Sequence, residues 1–387
     1  MPSEDQISPA RKLVTVRPIA SVTSFNSVHN IVTIDGWTVA VKKTEGFKTG
    51  EYVVYFEVDA FLPASSTLAP LFHKALGQTT GFHGQQGYRV GTRDIMNHKP
   101  PMRSAISQGL VFKLGCFPQI NNDVLRRRAA LKPNDDFVAI MRNFDYSAEL
   151  GITKWESQTD PDTGNWPIPS FIKRTTTERV QNCPNLFIKP KYRTFVFQES
   201  VKLDGRSMTC YFVHRGCHLY PTLHSLGPSY EKNAILPNGR FGVCSKSCEL
   251  SNAVPNPYWE TALELRLHKI MSLAGLSIAI QGELVGWNIQ GNPYNYPENK
   301  RDFFVYTVVD VETRERWHPK DVKSFADDLG LKHVEVLGYT TLPSIAKNHK
   351  GLLDRADKRG GEGLVFKCCD DNRWFKVLSN KYILKKG

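Results

Sequence analysis

Four charged residues stand where the surrounding pattern asks for apolar ones, and their types suit covalent chemistry. Lys202 ends an apolar, aromatic run (Tyr192, Phe195, Val196, Phe197) and lies two residues before Asp204-Gly205. This reads as a strand closing in a tight Asp-Gly turn, with one amine held at the turn mouth. An amine so placed is a candidate nucleophile. Glu283 stands inside Ile280-Gln281-Gly282-Glu283-Leu284-Val285-Gly286. Glu362 lies between two glycines ahead of Leu364-Val365-Phe366, and Lys376 lies inside Trp374-Phe375-Lys376-Val377-Leu378. Each needs a partner, because an unpaired buried charge is costly. Singly, each reads more readily as a rim salt bridge or a snorkelling lysine than as a functional group. Together they form an ordered set of lysine, two carboxylates and lysine.

The elements that position this set divide into two blocks. The first is β-rich: Arg11 to Arg17 alternates, Ile31 to Val41 is broken by Asp35-Gly36 as a hairpin signal, and Glu51 to Val58 is an apolar strand. Phe82 to Arg93 and Ala105 to Leu114 continue the run of short strands, which predicts a small barrel or sandwich over residues 1–125, an OB-like barrel being the sharper reading. Two basic loop regions, Lys42, Lys43 and Lys48 and then Arg89, Arg93 and Arg103, are either solvated charge or a nucleic-acid contact. Residues 126–170 read as a linker, from the basic Arg126-Arg127-Arg128 to the proline-rich Asp160 to Pro169. The block 171–387 is mixed, with a helix predicted from the Asn256 cap and Pro257 through to Gly275. Trp259, Leu263, Leu267, Ile270 and Met271 recur along it at helical spacing.

Composition bounds the function. A chain of 387 residues with net charge +12 suits a polyanionic partner, nucleic acid before membrane. No apolar run reaches membrane-spanning length, and the acidic start (Glu4, Asp5) does not read as a secretory signal. Eight scattered cysteines, two of them adjacent, predict a reducing intracellular compartment, cytoplasmic or nuclear, organelles included. Cys210, His214, Cys217 and His218 do not have the spacing of a structural zinc site.

The set also carries a resemblance. Lys202-Leu203-Asp204-Gly205, Gly282-Glu283-Leu284-Val285-Gly286, Glu362-Gly363-Leu364-Val365-Phe366-Lys367 and Phe375-Lys376 resemble motifs I, III, IV and V of the covalent nucleotidyltransferases. That superfamily comprises DNA ligases, RNA ligases and mRNA capping enzymes. Arg11-Lys12-Leu13, Asp35-Gly36-Trp37, Val53 to Asp59, Glu178 to Asn182, Phe241 to Ser245 and Ile289 to Asn292 resemble a narrower group, the Deinococcus- and Naegleria-type nick-sealing RNA ligases.

The resemblance implies an α+β chain, an OB-like barrel followed by a nucleotidyltransferase (adenylation) domain of mixed sheets and helices. Few residues follow Lys376, so the extra β-domain is expected before the catalytic one rather than after it. It implies an ATP-dependent RNA ligase using Mg2+ or Mn2+ on a nicked duplex with RNA at the 3′-OH side. Lys202 would become adenylylated, its pKa lowered by nearby positive charge and burial. Glu283 would contact the ribose and, with Glu362, the metal shell, and Lys376 the α-phosphate, with Lys381 assisting. Asp204 and Gly205 complete the nucleotide motif, and Tyr306, or Phe304 on the same strand face, would stack on adenine. Arg179 and Arg206 are phosphate-contact candidates, with surface salt bridges an equal reading.

Two departures stand out. Lys246 occupies a position where the group has arginine, so bidentate phosphate binding is lost there. Residues 216–238 look like an insertion. A DNA ligase, a GTP-using capping-type enzyme and a non-catalytic nucleic-acid-binding relative remain as alternatives.

Overall fold

The computed structural model describes residues 11–82, 84–97, 103–155, 164–172, 177–226 and 233–386. Parts of the proline-rich stretch (160–163) and of the 216–238 insertion (227–232) lie outside the described residues.

The first block folds around the strand Tyr52–Phe56, which pairs antiparallel with Val14–Pro18 on one side and Leu110–Lys113 on the other. Its side chains alternate between two cores. Val54 and Phe56 join Phe72, Phe112 and Phe117, while Val53 and Tyr55 join Val32, Trp37 and Val39. A strand buried on both faces reads as a continuous apolar run, as Val53-Val54-Tyr55-Phe56 does. The predicted hairpin forms, with His29–Ile34 against Trp37–Lys42 and Asp35 at φ 50° in the turn.

The strands of this block fall into separate sheets, and no closed barrel forms among the described residues. The central strand is covered on both faces, whereas a barrel strand faces a single interior. Of the second basic set, Arg89 and Arg93 lie within the strands Gln85–Arg89 and Thr92–Asn97 rather than on a loop.

The stretch read as a linker holds structure. Pro118–Ala129 is a helix that sends Ile120 and Val124 into the first core. Phe137–Met141 is a second, capped by the Asp136 carboxylate, which accepts from the Val138 and Ala139 amides. Thr153–Lys154 pairs with Ala60 and Phe61, so residues up to 154 are packed with the first block. Gly164–Pro167 pairs with Cys248–Leu250 of the second block.

The second block contains two sheets. One carries, in order, Glu178–Arg179, Trp374–Leu378, Gly363–Cys368, Val196–Lys202 and Val336–Thr341. In the other, Arg206–His214 pairs with Ile278–Gly286, which pairs with Arg301–Asp310. The chain leaves the first sheet at Lys202 and enters the second at Arg206, so the Leu203-Asp204-Gly205 turn joins the two. Behind the second sheet, the predicted single helix is two, Pro257–Glu264 and Leu267–Ala274, broken at Arg266 with φ 55°. Leu265 and Leu267 both pack on one core. Two residues apart, they would point to opposite sides of a continuous helix, and the left-handed Arg266 reconciles them. Gly275, at φ 66°, closes the second helix as predicted.

Candidate active site

Lys202 sits at the mouth of the turn between the two sheets, as its sequence position predicts. Its strand pairs with Gly363–Cys368, with Lys202 opposite Gly363, and this register brings the neighbouring Glu362 alongside. The Lys202 ammonium and the Glu362 carboxylate are 2.8 Å apart. Gly363 has φ 148°, and a Cβ there would stand 2.1 Å from the Val377 carbonyl oxygen, so only glycine fits beside the strand of Lys376.

Glu283 comes from the other wall, opposite Ser207 and Phe304 in its sheet. Burial pushes its carboxyl up to about 7, opposed by the Lys202 charge and by a hydrogen bond from the Gly205 amide. Gly205 packs directly on this strand, and a Cβ there would meet the Leu284 carbonyl oxygen at 2.4 Å and Glu283 Cγ at 2.8 Å. Gly205→Ala is therefore expected to displace the turn. It should cost roughly 1–3 kcal/mol of stability and most of the activity, checked by thermal melting alongside the adenylylation assay described below.

Lys376 lies opposite Val365, facing the same cleft. Burial, then the charges of Lys202, Arg179 and Arg11, brings its pKa down to about 7. Burial also acts downward on Lys202, but Glu362, Glu283 and Asp204 together outweigh it and the pKa is raised. Carboxylates rather than cations are the nearest neighbours of this amine among the described side chains.

The remaining predicted residues are placed as follows. Arg179 is buried and sits beside Lys376 in a parallel pairing, with Nε and Nη1 unpartnered. The Asp204 carboxylate accepts from Lys386 Nζ at 2.6 Å and from the Tyr382 hydroxyl, and its amide donates to the Tyr294 hydroxyl at 2.7 Å. Phe304 lines a cleft of about 420 Å³ with Leu203, Val285, Tyr294 and Tyr296. Tyr306 is two residues along the same face, its hydroxyl 3.3 Å from Ser207 Oγ. Arg206 begins the strand after the turn. Lys246 is exposed between Gly239–Cys244 and Cys248–Leu250.

Lys381 is exposed on the helix Asn380–Lys386, where its amide donates to Asp357, and Lys386 from the same helix reaches Asp204. Residues not anticipated are Lys386, Tyr382 and Tyr294 on Asp204, and Lys367. Lys367 is buried, donates to the Tyr306 carbonyl, and is brought down to about 7 by burial and Arg316. Lys367 had a legible signal, a lysine in the apolar strand Gly363–Cys368, whereas the other three are tertiary contacts without a local pattern.

No three His, Cys, Asp or Glu side chains among the described residues converge as a metal cage, so Cys210, His214, Cys217 and His218 do not form one. No helix among the described residues is long and apolar enough to cross a membrane.

Comparison with known proteins places this geometry. The RNA ligase family model matches residues 195–378, and an OB-fold domain model matches residues 10–114. No curated protein matches the chain. Among solved structures, a mutant of Naegleria gruberi RNA ligase without ligand is 28% identical, with a TM-score of 0.75 over 97% of this chain and 98% of that one. The same ligase with PPi is 28% identical, with a TM-score of 0.76 over 97% and 99%. A mutant of it with ATP and Mn is also 28% identical, with a TM-score of 0.75 over 97% and 99%. With a paired lysine at the joint of two sheets, an OB-fold domain ahead of it and these matches along both blocks, the chain is similar over 97% of its length to an RNA ligase, of the covalent nucleotidyltransferase type.

Proposed function

We propose that this ATP-dependent RNA ligase seals 3′-OH/5′-phosphate nicks in duplexes carrying RNA at the 3′-OH side, with Lys202 as its nucleophile. The observation that carries the reading is the Lys202–Glu362 pair at 2.8 Å in a cleft shared with Glu283 and Lys376. The neutral Lys202 amine attacks the α-phosphorus of ATP, forming a phosphorus–nitrogen bond and expelling pyrophosphate. The 5′-phosphate of the nick then takes the AMP and frees the lysine. The 3′-hydroxyl attacks that activated phosphate, forming the phosphodiester and releasing AMP.

Lys376 opposes the negative charge that grows on the α-phosphate, and Arg179 contacts a phosphate oxygen. Phe304 or Tyr306 stacks on adenine, and Arg206 and Lys246 are candidate contacts for phosphate or the nick. Two carboxylates near one lysine suit a Mg2+ or Mn2+ ion that keeps several waters and takes its other ligands from phosphates. Glu283 and Glu362 would hold that shell, and the ion would supply charge neutralisation at the phosphates. All eight cysteines are free thiols, which supports an intracellular, reducing setting.

Incubation with ATP labelled at the α-phosphate and magnesium is expected to label the protein, and addition of a nicked duplex to discharge the label into sealed product. Ribose at the 3′-OH should be sealed at least about tenfold faster than deoxyribose, since a site built around a hydroxyl rejects the analogue lacking it. Equal sealing of all-DNA nicks would make the chain a DNA ligase, and label from GTP a capping-type enzyme.

A further inference from the structure

The helix Asn380–Lys386 is tied to the site at both of its ends. It follows the strand of Lys376 after a single buried residue, Ser379. The Ser379 amide donates to the Glu362 carbonyl at 2.9 Å. Its hydroxyl oxygen accepts from the Tyr382 amide at 3.2 Å, which caps the first turn of the helix. The same hydroxyl donates to the Asp357 carboxylate at 2.8 Å. The helix therefore starts on the main chain of the residue whose carboxylate pairs with Lys202.

Its far end returns to the turn that follows Lys202. Tyr382 and Lys386 are four residues apart and so share one face of the helix. Both reach the Asp204 carboxylate, Lys386 Nζ at 2.6 Å and Tyr382 through its hydroxyl. The Lys386 ammonium also lies 5.4 Å from the centroid of the Tyr382 ring, so the two side chains brace each other. Asp204 is 8% exposed. A carboxylate so covered is costly unless it is paired and hydrogen-bonded, and this helix supplies both the charge and the hydroxyl donor. The Asp204 amide donates to the Tyr294 hydroxyl at 2.7 Å, so side chain and main chain are held by different elements.

We infer that Tyr382 and Lys386 are positioning residues for adenylylation, which fix Asp204 and, through the turn, the direction of the Lys202 amine. The inference rests on the reading of Lys202 as the nucleophile. One residue separates Lys202 from Asp204, so a carboxylate released from the helix lets the turn rotate and carries the amine with it. A misplacement of about 1 Å at a reacting atom can cost on the order of 10²-fold in rate. ATP itself is held by other contacts, so the loss falls on the rate rather than on ATP affinity.

The test uses the full chain with ATP labelled at the α-phosphate, magnesium and no RNA, and follows single-turnover label incorporation across ATP concentrations. Lys386→Met is expected to lower the maximal rate about tenfold, with the half-saturating ATP concentration changed by less than about threefold. Lys386→Arg, which keeps the charge, should restore most of that rate, and Tyr382→Phe should lose about threefold. Lys385→Met, which removes the neighbouring exposed charge of the same helix, should react at the normal rate. If Lys386→Met does not fold, Tyr382→Phe, which removes one hydroxyl, carries the reading alone. Normal maximal rates in Lys386→Met and Tyr382→Phe, with only a lowered melting temperature, would make the contact structural and overturn the proposal. A Lys385→Met protein as slow as Lys386→Met would also overturn it, by assigning the loss to net charge. Absence of label in the unsubstituted protein would instead refute Lys202 as the nucleophile, and this inference with it.

Discussion

Lys202→Ala should give no adenylylated protein, a fall of more than about 10³-fold in label incorporation, because it removes the amine that ends the strand beside Glu362. Lys202→Arg should fail almost as completely, since a guanidinium stays protonated and cannot attack. A labelled band surviving either substitution would move the nucleophile elsewhere.

The pH dependence follows from the neighbours of Lys202. Burial favours the neutral amine, but Glu362, Glu283 and Asp204 raise the pKa overall, so the ligand-free site keeps Lys202 as an ammonium. Below a raised pKa, the neutral fraction grows about tenfold per pH unit, so single-turnover adenylylation should climb between about pH 6 and 9. Glu362→Gln removes the nearest carboxylate charge and is expected to move this rising limb to lower pH while reducing the maximal rate. A limb that stays in place would assign the titration to another group. Glu362 holds Lys202 charged through this ion pair, and a divalent cation arriving with ATP would be held by Glu362 and would supply the charge that lets the amine lose its proton.

Lys376→Met should separate activity from stability. Without its charge near the α-phosphate, adenylylation should fall about 10²–10³-fold. The ligand-free protein should nevertheless become more stable, because the pKa of Lys376 is lowered to about 7 by burial and by Lys202, Arg179 and Arg11. A lysine whose folded pKa is depressed gives full stability above its unfolded pKa near 10.5. That stability drains as pH falls toward 7, and the loss is complete below it. Removing the amine should therefore raise Tm at neutral pH by about 2–4 °C, and the gain should shrink as pH approaches 10. Glu283, pushed up to about 7, carries the opposite sign and is destabilising as pH rises through that value. Calorimetry at three pH values checks both. A destabilised Lys376→Met protein would show that Lys376 is a structural ion-pair member, not a charge held for a ligand.

How much of this was legible in the sequence depended on the range of the interaction. A charge in an apolar strand announces itself locally, so Lys202, Glu283, Glu362 and Lys376 could be found from their flanks. The Asp35-Gly36 hairpin and the Asn256 cap were legible for the same reason. The OB-like block was legible as a run of short strands, but Val53-Val54-Tyr55-Phe56 looks the same whether a strand lines a closed barrel or lies between two cores. The break at Arg266 answers a packing demand that only appears once Leu265 and Leu267 share a core. Residues 126–154 looked like a linker because the core partners of Phe137, Met141, Tyr146 and Ile152 lie far away in sequence. Lys386 on Asp204 and Arg179 on Asp59 join residues 182 and 120 positions apart, and no local pattern encodes such pairs.

The short turn between Lys202 and Arg206 also governs how the cleft can breathe. It joins one strand of each wall, so a rotation of the walls about it moves the near end of each strand least. Over seven residues, the strand Val196–Lys202 spans about 23 Å. A swing of ~10° would carry its far end roughly 4 Å while Lys202, at the pivot, hardly shifts. An adenylate carried on that lysine would therefore stay in register while the rim of the cleft opens to exchange pyrophosphate for a nick. Placing the covalent anchor at the axis lets one intermediate outlast two different partners.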